Sequence, residues 1–256
     1  MSSIALVRRP GPRLPEGLVE HIEPVPVDLE RAIAQWEAYV GVLNDHGWTT
    51  IEVQPADDCP DAVFIEDSVV MYANVSVSSR PGALSRRPEP AGTRSVVEDL
   101  GCSLNEIREP GTLDGGDVLK VGSTVYVGRG GRTNAEGVRQ LRAILSPLGA
   151  QVVAVPVTKV LHLKTAVTAL PDGTVIGYPD FVDDPSIYPR FLPVPEPHGT
   201  AVVCLGGASL LMSASAPATA ALLSDLGYDV ITVDISEFEK LEGCVTCLSV
   251  RVRGLD

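Results

Sequence analysis

The stretch VLKVGSTVYVGRGGRTNAEGVRQLRAILSPLGAQVVAV, Val118–Val155, carries one whole structural unit in its pattern. Val118–Val121 and Thr124–Val127 are short β-type runs joined across Gly122, and they read as a hairpin. Thr133 and Glu136 stand at capping-box spacing, and Val138, Leu141, Ile144 and Leu145 recur at helical intervals. Gly149 marks the helix stop, with Pro147 fraying the last turn, and Gln151–Val155 reads as a third strand. The unit is strand, strand, helix, strand.

Outward from this stretch the same order recurs. A helix from about Asp28, its cap, to His46 places Leu29, Ile33, Trp36, Val40 and Leu43 on one stripe and ends at Gly47. Another follows Ser215, with Leu222, Leu223 and Leu226 inward and Gly227 as terminator, and shorter helices are expected at about Gly92–Leu100 and Asp183–Arg190. Strands are expected at Ile4–Val7, Thr50–Val53, Ala62–Ile65, Ser68–Tyr72, Ala166–Leu170, Thr174–Gly177, Ala201–Leu205, Ser209–Met212, Asp229–Val233 and Thr246–Val252. Gly115-Gly116 and Gly206-Gly207 read as openings of equivalent hairpins. About five such units, with no hydrophilic linker between them, imply one α/β domain over residues 1–256 made of pseudo-repeats.

The composition agrees with a globular chain: 256 residues, 45% hydrophobic and 21% charged, enough to bury a full core. A net charge of -13, from 20 basic and 33 acidic residues, argues against a nucleic-acid or anionic-membrane surface. The run Gly199–Ser224 carries no charge, yet glycines, Pro217 and hydroxyl residues interrupt it, which suits a buried hairpin and helix better than a membrane span. The N-terminus lacks the order of a secretory signal and five cysteines are an odd, sparse set, so a mature start and a cytoplasmic location are expected.

Among those cysteines, Cys247 lies where alternation puts it at the beginning of the last strand, facing opposite to Leu248. With Cys244 it forms C-x-x-C, which reads as a redox pair, half of a zinc site lacking its other ligands, or plain buried packing. A cysteine nucleophile needs a base or a cationic neighbour to hold its thiolate. Of four histidines, His46 suits a helix C-terminus, and His21 and His198 lie in loops. His162, in the apolar Val160–Ala166 context, is either a satisfied core histidine or a catalytic one. Asp61, Glu66 and Asp67 flank the apolar run Ala62–Ile65, so at least one of the adjacent pair is expected to face inward unless both sit in a turn. Leu113-Asp-Gly-Gly-Asp117 is an ordinary turn or the mount of a carboxylate that orients a histidine, and arginines at 86, 87, 129 and 132 can clamp a carboxylate. Phosphate loops, dinucleotide fingerprints, H-E-x-x-H and G-x-S-x-G are absent from the sequence, which removes those nucleotide, metalloprotease and esterase readings.

Phe64-Ile-Glu-Asp67, Arg80-Pro-Gly82 with Ser85-Arg-Arg87, Leu113-Asp-Gly-Gly-Asp117, Arg132-Thr-Asn134, Leu161-His-Leu-Lys164 and Thr246-Cys247 resemble, in that order, the dimethylarginine dimethylaminohydrolases. The likeness spans about Leu18 to Val252. It implies the pentein fold, five ββαβ units in a pseudo-fivefold, propeller-like barrel, and hydrolysis of methylated arginines to citrulline and methylamine or dimethylamine. By motif it implies Cys247 as nucleophile, His162 as general acid and base, and Asp114 as the acid that holds the imidazole. Asp67, with Glu66 beside it, would hold the guanidinium. Asp61 and the Leu18 carbonyl would take the substrate ammonium, Arg86 and Arg132 its carboxylate, and Leu241 would close the pocket. No cofactor or metal is implied; the expected partners are a small cationic amino acid and, at most, a second copy of the chain. Arginine deiminases typically carry Asp two residues after the histidine, where this chain has Lys164. That difference and the short chain favour methylated substrate over arginine deiminase, the retained Cys247 and His162 argue against a noncatalytic binding role, and an amidinotransferase-like enzyme of the same fold stays an alternative.

Overall fold

A computed structural model describes residues 2–255. Five three-stranded sheets account for the architecture. The chain begins with β1 (Ser2–Val7), crosses through α1 (Leu29–Asp45) and returns in β2 (Thr49–Glu52), which lies parallel to β1. Asp28 caps α1 by accepting the Arg31 N–H, and Ala32, Trp36, Tyr39 and Leu43 form its buried stripe. The second unit is β3 (Val69–Tyr72), β4 (Val75–Ser78), α2 (Pro90–Asp99) and β5 (Ser103–Glu106); the third is β6 (Val118–Val121), β7 (Thr124–Arg129), α3 (Ala135–Leu145) and β8 (Gln151–Pro156). After the short α4 (Leu163–Ala166), the fourth unit contains β9 (Val167–Ala169), β10 (Val175–Gly177) and β11 (Phe191–Pro193). The fifth has β12 (Val202–Gly206), β13 (Ser209–Ser213), α5 (Pro217–Asp225) and β14 (Asp229–Val233). Finally α6 (Ser236–Glu239) leads to β15 (Val250–Leu255), which pairs antiparallel with β1 and completes the first sheet with the chain's last strand. In every sheet the middle strand has one antiparallel and one parallel neighbour. This is the pentein arrangement of five ββαβ-like units, the fourth with short 3-10 turns in place of its helix. Among the described residues no helix is long and apolar enough to cross a membrane.

Several local expectations change. The cap of α3 is Asn134, whose Oδ1 accepts the Gly137 and Thr112 N–H groups, because the Thr133 hydroxyl is drawn instead to Asp117 at 2.6 Å. No helix forms over Asp183–Arg190: Pro185 and Pro189 interrupt it, Asp184 accepts the Ser186 N–H, and only a tight turn at Pro185–Ile187 precedes β11. Ala62–Ile65 is a series of tight turns, with Phe64 N–H on the Asp61 carbonyl and Ala62 N–H on that of Cys59. Full burial made its apolar run look like a strand. The last strand starts at Val250, so Cys247 stands on the turn before it, with its N–H on the Cys244 carbonyl. Gly206-Gly207 joins the two strands of a hairpin, whereas Gly115-Gly116 precedes one, and the two pairs are not equivalent. Strands β4, β5 and β11 escaped sequence reading because they are three or four residues long and mostly polar or interrupted by proline.

Candidate active site

Two tight turns meet at the heart of the site. Ile65–Ser68 carries Glu66 and Asp67, and Gly115–Asp117 crosses it so closely that a Cβ on Gly115 would overlap the Glu66 carbonyl. Gly116 donates its N–H to Asp67 Oδ1 at 2.7 Å, and a Cβ there would stand 2.6 Å from that oxygen and 2.8 Å from His162 Nδ1. Glycine is needed at both positions for this approach.

The turn sends its two acids opposite ways. Asp67 faces a small pocket that also receives His162 and Cys247. Glu66 does not line it: its Oε1 lies 2.6 Å from Lys164 Nζ and 2.6 Å from Arg251 Nη2, beside a separate polar cavity lined by one strand from each of the five sheets. The Glu66 side chain is therefore turned out of this pocket, contrary to the expectation that it stands beside Asp67 there. Lys164, two residues after His162, follows Glu66 to that other side.

His162 is buried, with Nε2 3.0 Å from Asp114 Oδ2 and Nδ1 3.9 Å from Asp67 Oδ1. Asp114 is itself oriented by the Gly82 N–H at 2.9 Å. Burial alone would lower the His162 pKa, but the Asp67 charge, the bond to Asp114 and the charges of Asp117 and Asp114 raise it to about 9. The ring is thus an imidazolium at neutral pH. Asp67 is held well below the usual carboxylate range: burial pushes it up, and His162, Arg86 and the Gly116 N–H outweigh that. Asp117 goes the other way, pushed up to about 6 by burial.

Cys247 is buried among apolar groups of the α1 cluster, its thiol 3.2 Å from that of Cys244. The bond with Cys244, burial and the nearby charges of Cys244, Glu66 and Asp67 push the Cys247 thiol up. In the free protein it is therefore a thiol.

Around these groups stand the other expected residues. Leu18, Asp61, Arg86, Arg132 and Leu241 all line the same pocket. The Leu18 N–H donates to Asp61 Oδ1 at 3.0 Å, while the buried Asp61 Oδ2 has no protein partner among the described residues. Arg132 Nη1 is likewise buried without a hydrogen bond, at 3.6 Å from Asp114 Oδ2. Arg86 departs from the expected open clamp. Its Nη1 donates to Asp67 Oδ2 at 2.7 Å, Nε and Nη2 donate to Glu89 at 2.9 and 2.8 Å, and Nη2 also meets the carbonyls of Asp61 and Phe64. With two carboxylates already balancing its charge, this guanidinium ties Asp67 into a buried ion cluster.

Three residues that sequence reasoning missed complete the site. Glu242, in the left-handed backbone region at φ 59°, accepts the N–H groups of Glu20 and His21 and so fastens the proline-rich N-terminal segment over the pocket. Glu20 reaches back to Arg132 at 2.7 Å. Asp117 accepts the Leu163 N–H at 2.9 Å and fixes the backbone just after His162. Only the Gly-Gly-Asp turn hinted at Asp117; nothing local marks the two glutamates.

A buried cysteine, histidine and carboxylates converging inside five ββαβ units define an enzyme of the pentein fold. A family model described as arginine deiminase matches residues 100–200. The N(G),N(G)-dimethylarginine dimethylaminohydrolase of Streptomyces coelicolor is 67% identical over 99% of this chain and 98% of its own. The protein of that name from Pseudomonas aeruginosa is 34% identical over 96% of this chain and 98% of its own. A crystal structure of a cysteine-to-serine mutant of the Pseudomonas aeruginosa enzyme, complexed with citrulline, superposes with a TM-score of 0.92 at 33% identity, covering 98% of this chain and all of that one. The chain belongs to the dimethylarginine dimethylaminohydrolase family.

Proposed function

We propose that the protein hydrolyses Nω-methylated L-arginines, asymmetric dimethylarginine and monomethylarginine, to citrulline and dimethylamine or methylamine through a covalent Cys247 intermediate. The observation that carries this reading is a pair of buried polar atoms without a hydrogen bond among the described residues, in the pocket of Cys247 and His162: Asp61 Oδ2, an acceptor, and Arg132 Nη1, a donor. They match the ammonium and carboxylate of an α-amino acid. The S-methyl-L-thiocitrulline adduct of a relative with a TM-score of 0.92 and 33% identity supports an amino acid of this length.

Asp67 accepts the guanidinium, and with Glu66 and Lys164 turned to the other cavity, no second acid reaches the terminal nitrogen from the residue two after His162. That nitrogen is left free to carry methyl groups. The arriving cation favours ionisation of the Cys247 thiol, whose proton departs to solvent. The thiolate adds to the guanidinium carbon, and His162 donates its proton to the departing amine as the carbon–nitrogen bond breaks. A water, deprotonated by the now neutral His162, adds to the S-alkylthiouronium carbon. Collapse of that adduct breaks the carbon–sulfur bond, releasing citrulline and Cys247.

The test is incubation of equal concentrations of asymmetric dimethylarginine, monomethylarginine and arginine with the protein and with Cys247→Ser, followed by citrulline measurement. Turnover of the methylated substrates, abolished in the mutant, is expected. Preferential turnover of arginine would make the chain a compact deiminase.

A further inference from the structure

Cys244, the first cysteine of the C-x-x-C motif, is not used by the hydrolytic steps. Residues 244–247 form one turn, closed by the Cys247 N–H on the Cys244 carbonyl at 3.0 Å, and the two side chains emerge on the same side with their sulfurs 3.2 Å apart. The Thr246 hydroxyl stands 3.2 Å from the Cys244 sulfur. The two sulfurs open on different spaces. Cys247 faces the substrate pocket, whereas Cys244 is only partly buried and lines a neighbouring, larger and mostly apolar cavity. Cys102 and Cys204 belong to other hydrophobic clusters. A small neutral oxidant can thus reach Cys244 without passing the substrate site.

We propose that Cys244 and Cys247 form a reversible disulfide under peroxide, which withdraws the nucleophile and switches the enzyme off. This rests on Cys247 being the nucleophile. The Cys244 sulfur attacks a peroxide oxygen, the O–O bond breaks and water leaves, giving a sulfenic acid: sulfur loses two electrons and the peroxide gains them. The Cys247 sulfur then attacks the oxidised sulfur. The S–S bond forms, the S–O bond breaks, and hydroxide departs as water with the Cys247 proton. A dithiol and one peroxide become a disulfide and two waters; two equivalents of a thiol reductant reverse it. Since the sulfurs already touch and belong to one turn, closing the bond needs only a small movement.

The experiment treats the whole protein with hydrogen peroxide in the presence of a chelator, then splits each sample for activity and for mass analysis after trypsin. Cleavage after Lys240 and Arg251 releases Leu241–Arg251, which contains these two cysteines and no other. The expected result is a peptide lighter by two hydrogens, loss of nearly all methylarginine turnover in parallel, and recovery of both by dithiothreitol. In Cys244→Ser, and in Cys244→Ala as a second variant, the peptide should never lose two hydrogens, and activity should fall only as Cys247 itself gains oxygen, with the share carried on to the sulfinic acid not recovered by dithiothreitol, because no neighbouring thiol traps the sulfenic acid first. A peptide that only gains oxygen, or a disulfide that leaves turnover intact, overturns the proposal. Absence of turnover in the untreated protein would count against the hydrolase reading alone, because the peptide mass still decides whether the pair closes.

Discussion

The carboxylate of Glu20 lies 2.7 Å from Arg132 Nη2, bridging 112 residues of chain, so an acid of the protein itself occupies the guanidinium expected to receive the substrate carboxylate. Glu20 is half-exposed and hangs from Glu242 by its backbone N–H. A substrate that uses Arg132 must displace it.

Glu20→Gln should therefore lower KM for asymmetric dimethylarginine by about fivefold, corresponding to the ~1 kcal/mol of a half-exposed ion pair. A methylated guanidine lacking the α-carboxylate should show no such gain. Equal KM values for methylarginine in wild type and variant would mean that the substrate carboxylate binds elsewhere.

Arg86 should behave as a structural residue. Removing its charge by Arg86→Met leaves Asp67 and Glu89 as buried carboxylates without their cation, at a cost of about 3 kcal/mol in urea unfolding. Arg132→Met loses a hydrogen bond only to the half-exposed Glu20 and leaves Asp114 paired with His162, so it should change stability far less and raise KM instead. Similar stabilities for Arg86→Met and wild type would refute the ion-cluster reading.

His162 links stability to pH. Its folded pKa of about 9 exceeds the ordinary 6.5, so the folded state holds the proton more tightly. Its contribution is fully present below pH 6.5 and is lost as the pH rises through 9. The melting-temperature gap between wild type and His162→Gln should accordingly narrow from pH 6.5 to 9.5 (about half a unit past the folded pKa). kcat/KM should climb above neutrality as the Cys247 thiol ionises more readily, then fall beyond about pH 9 as the proton needed by the leaving amine is lost.

Gly116→Ala tests the crossing of the two turns. The new methyl would press on Asp67 and His162, so kcat/KM should drop by on the order of a hundredfold, the effect of misplacing a reacting group by about an ångström. Gly41→Ala, in α1 where a Cβ meets nothing within 4 Å, should instead stabilise by about 1 kcal/mol with activity unchanged.

The ββαβ order, the Asp28 cap, the stripe of α1 and most of the strands could be read along the chain, because 3.6-residue and two-residue periodicities and turn chemistry act between neighbours. The same locality made the motifs around Asp67, Asp114, His162 and Cys247 visible. It failed where burial erased alternation, as at Ala62–Ile65, and where a competing long-range bond moved a cap, as Asp117 did to Thr133.

What each charged group does was decided by distant partners. Glu66 and Asp67 are adjacent, yet Lys164 and Arg251 draw one to the separate polar cavity while Gly116, Arg86 and His162 hold the other at the pocket. Arg86 looks like a clamp until Glu89 and Asp67 are seen to balance it, and Glu20 and Glu242 show no local sign of their grip on the pocket. Pattern along the chain specifies elements and residue types; only the packed ring brings charges from separate units close enough, in a low-dielectric interior, to settle their partners and protonation.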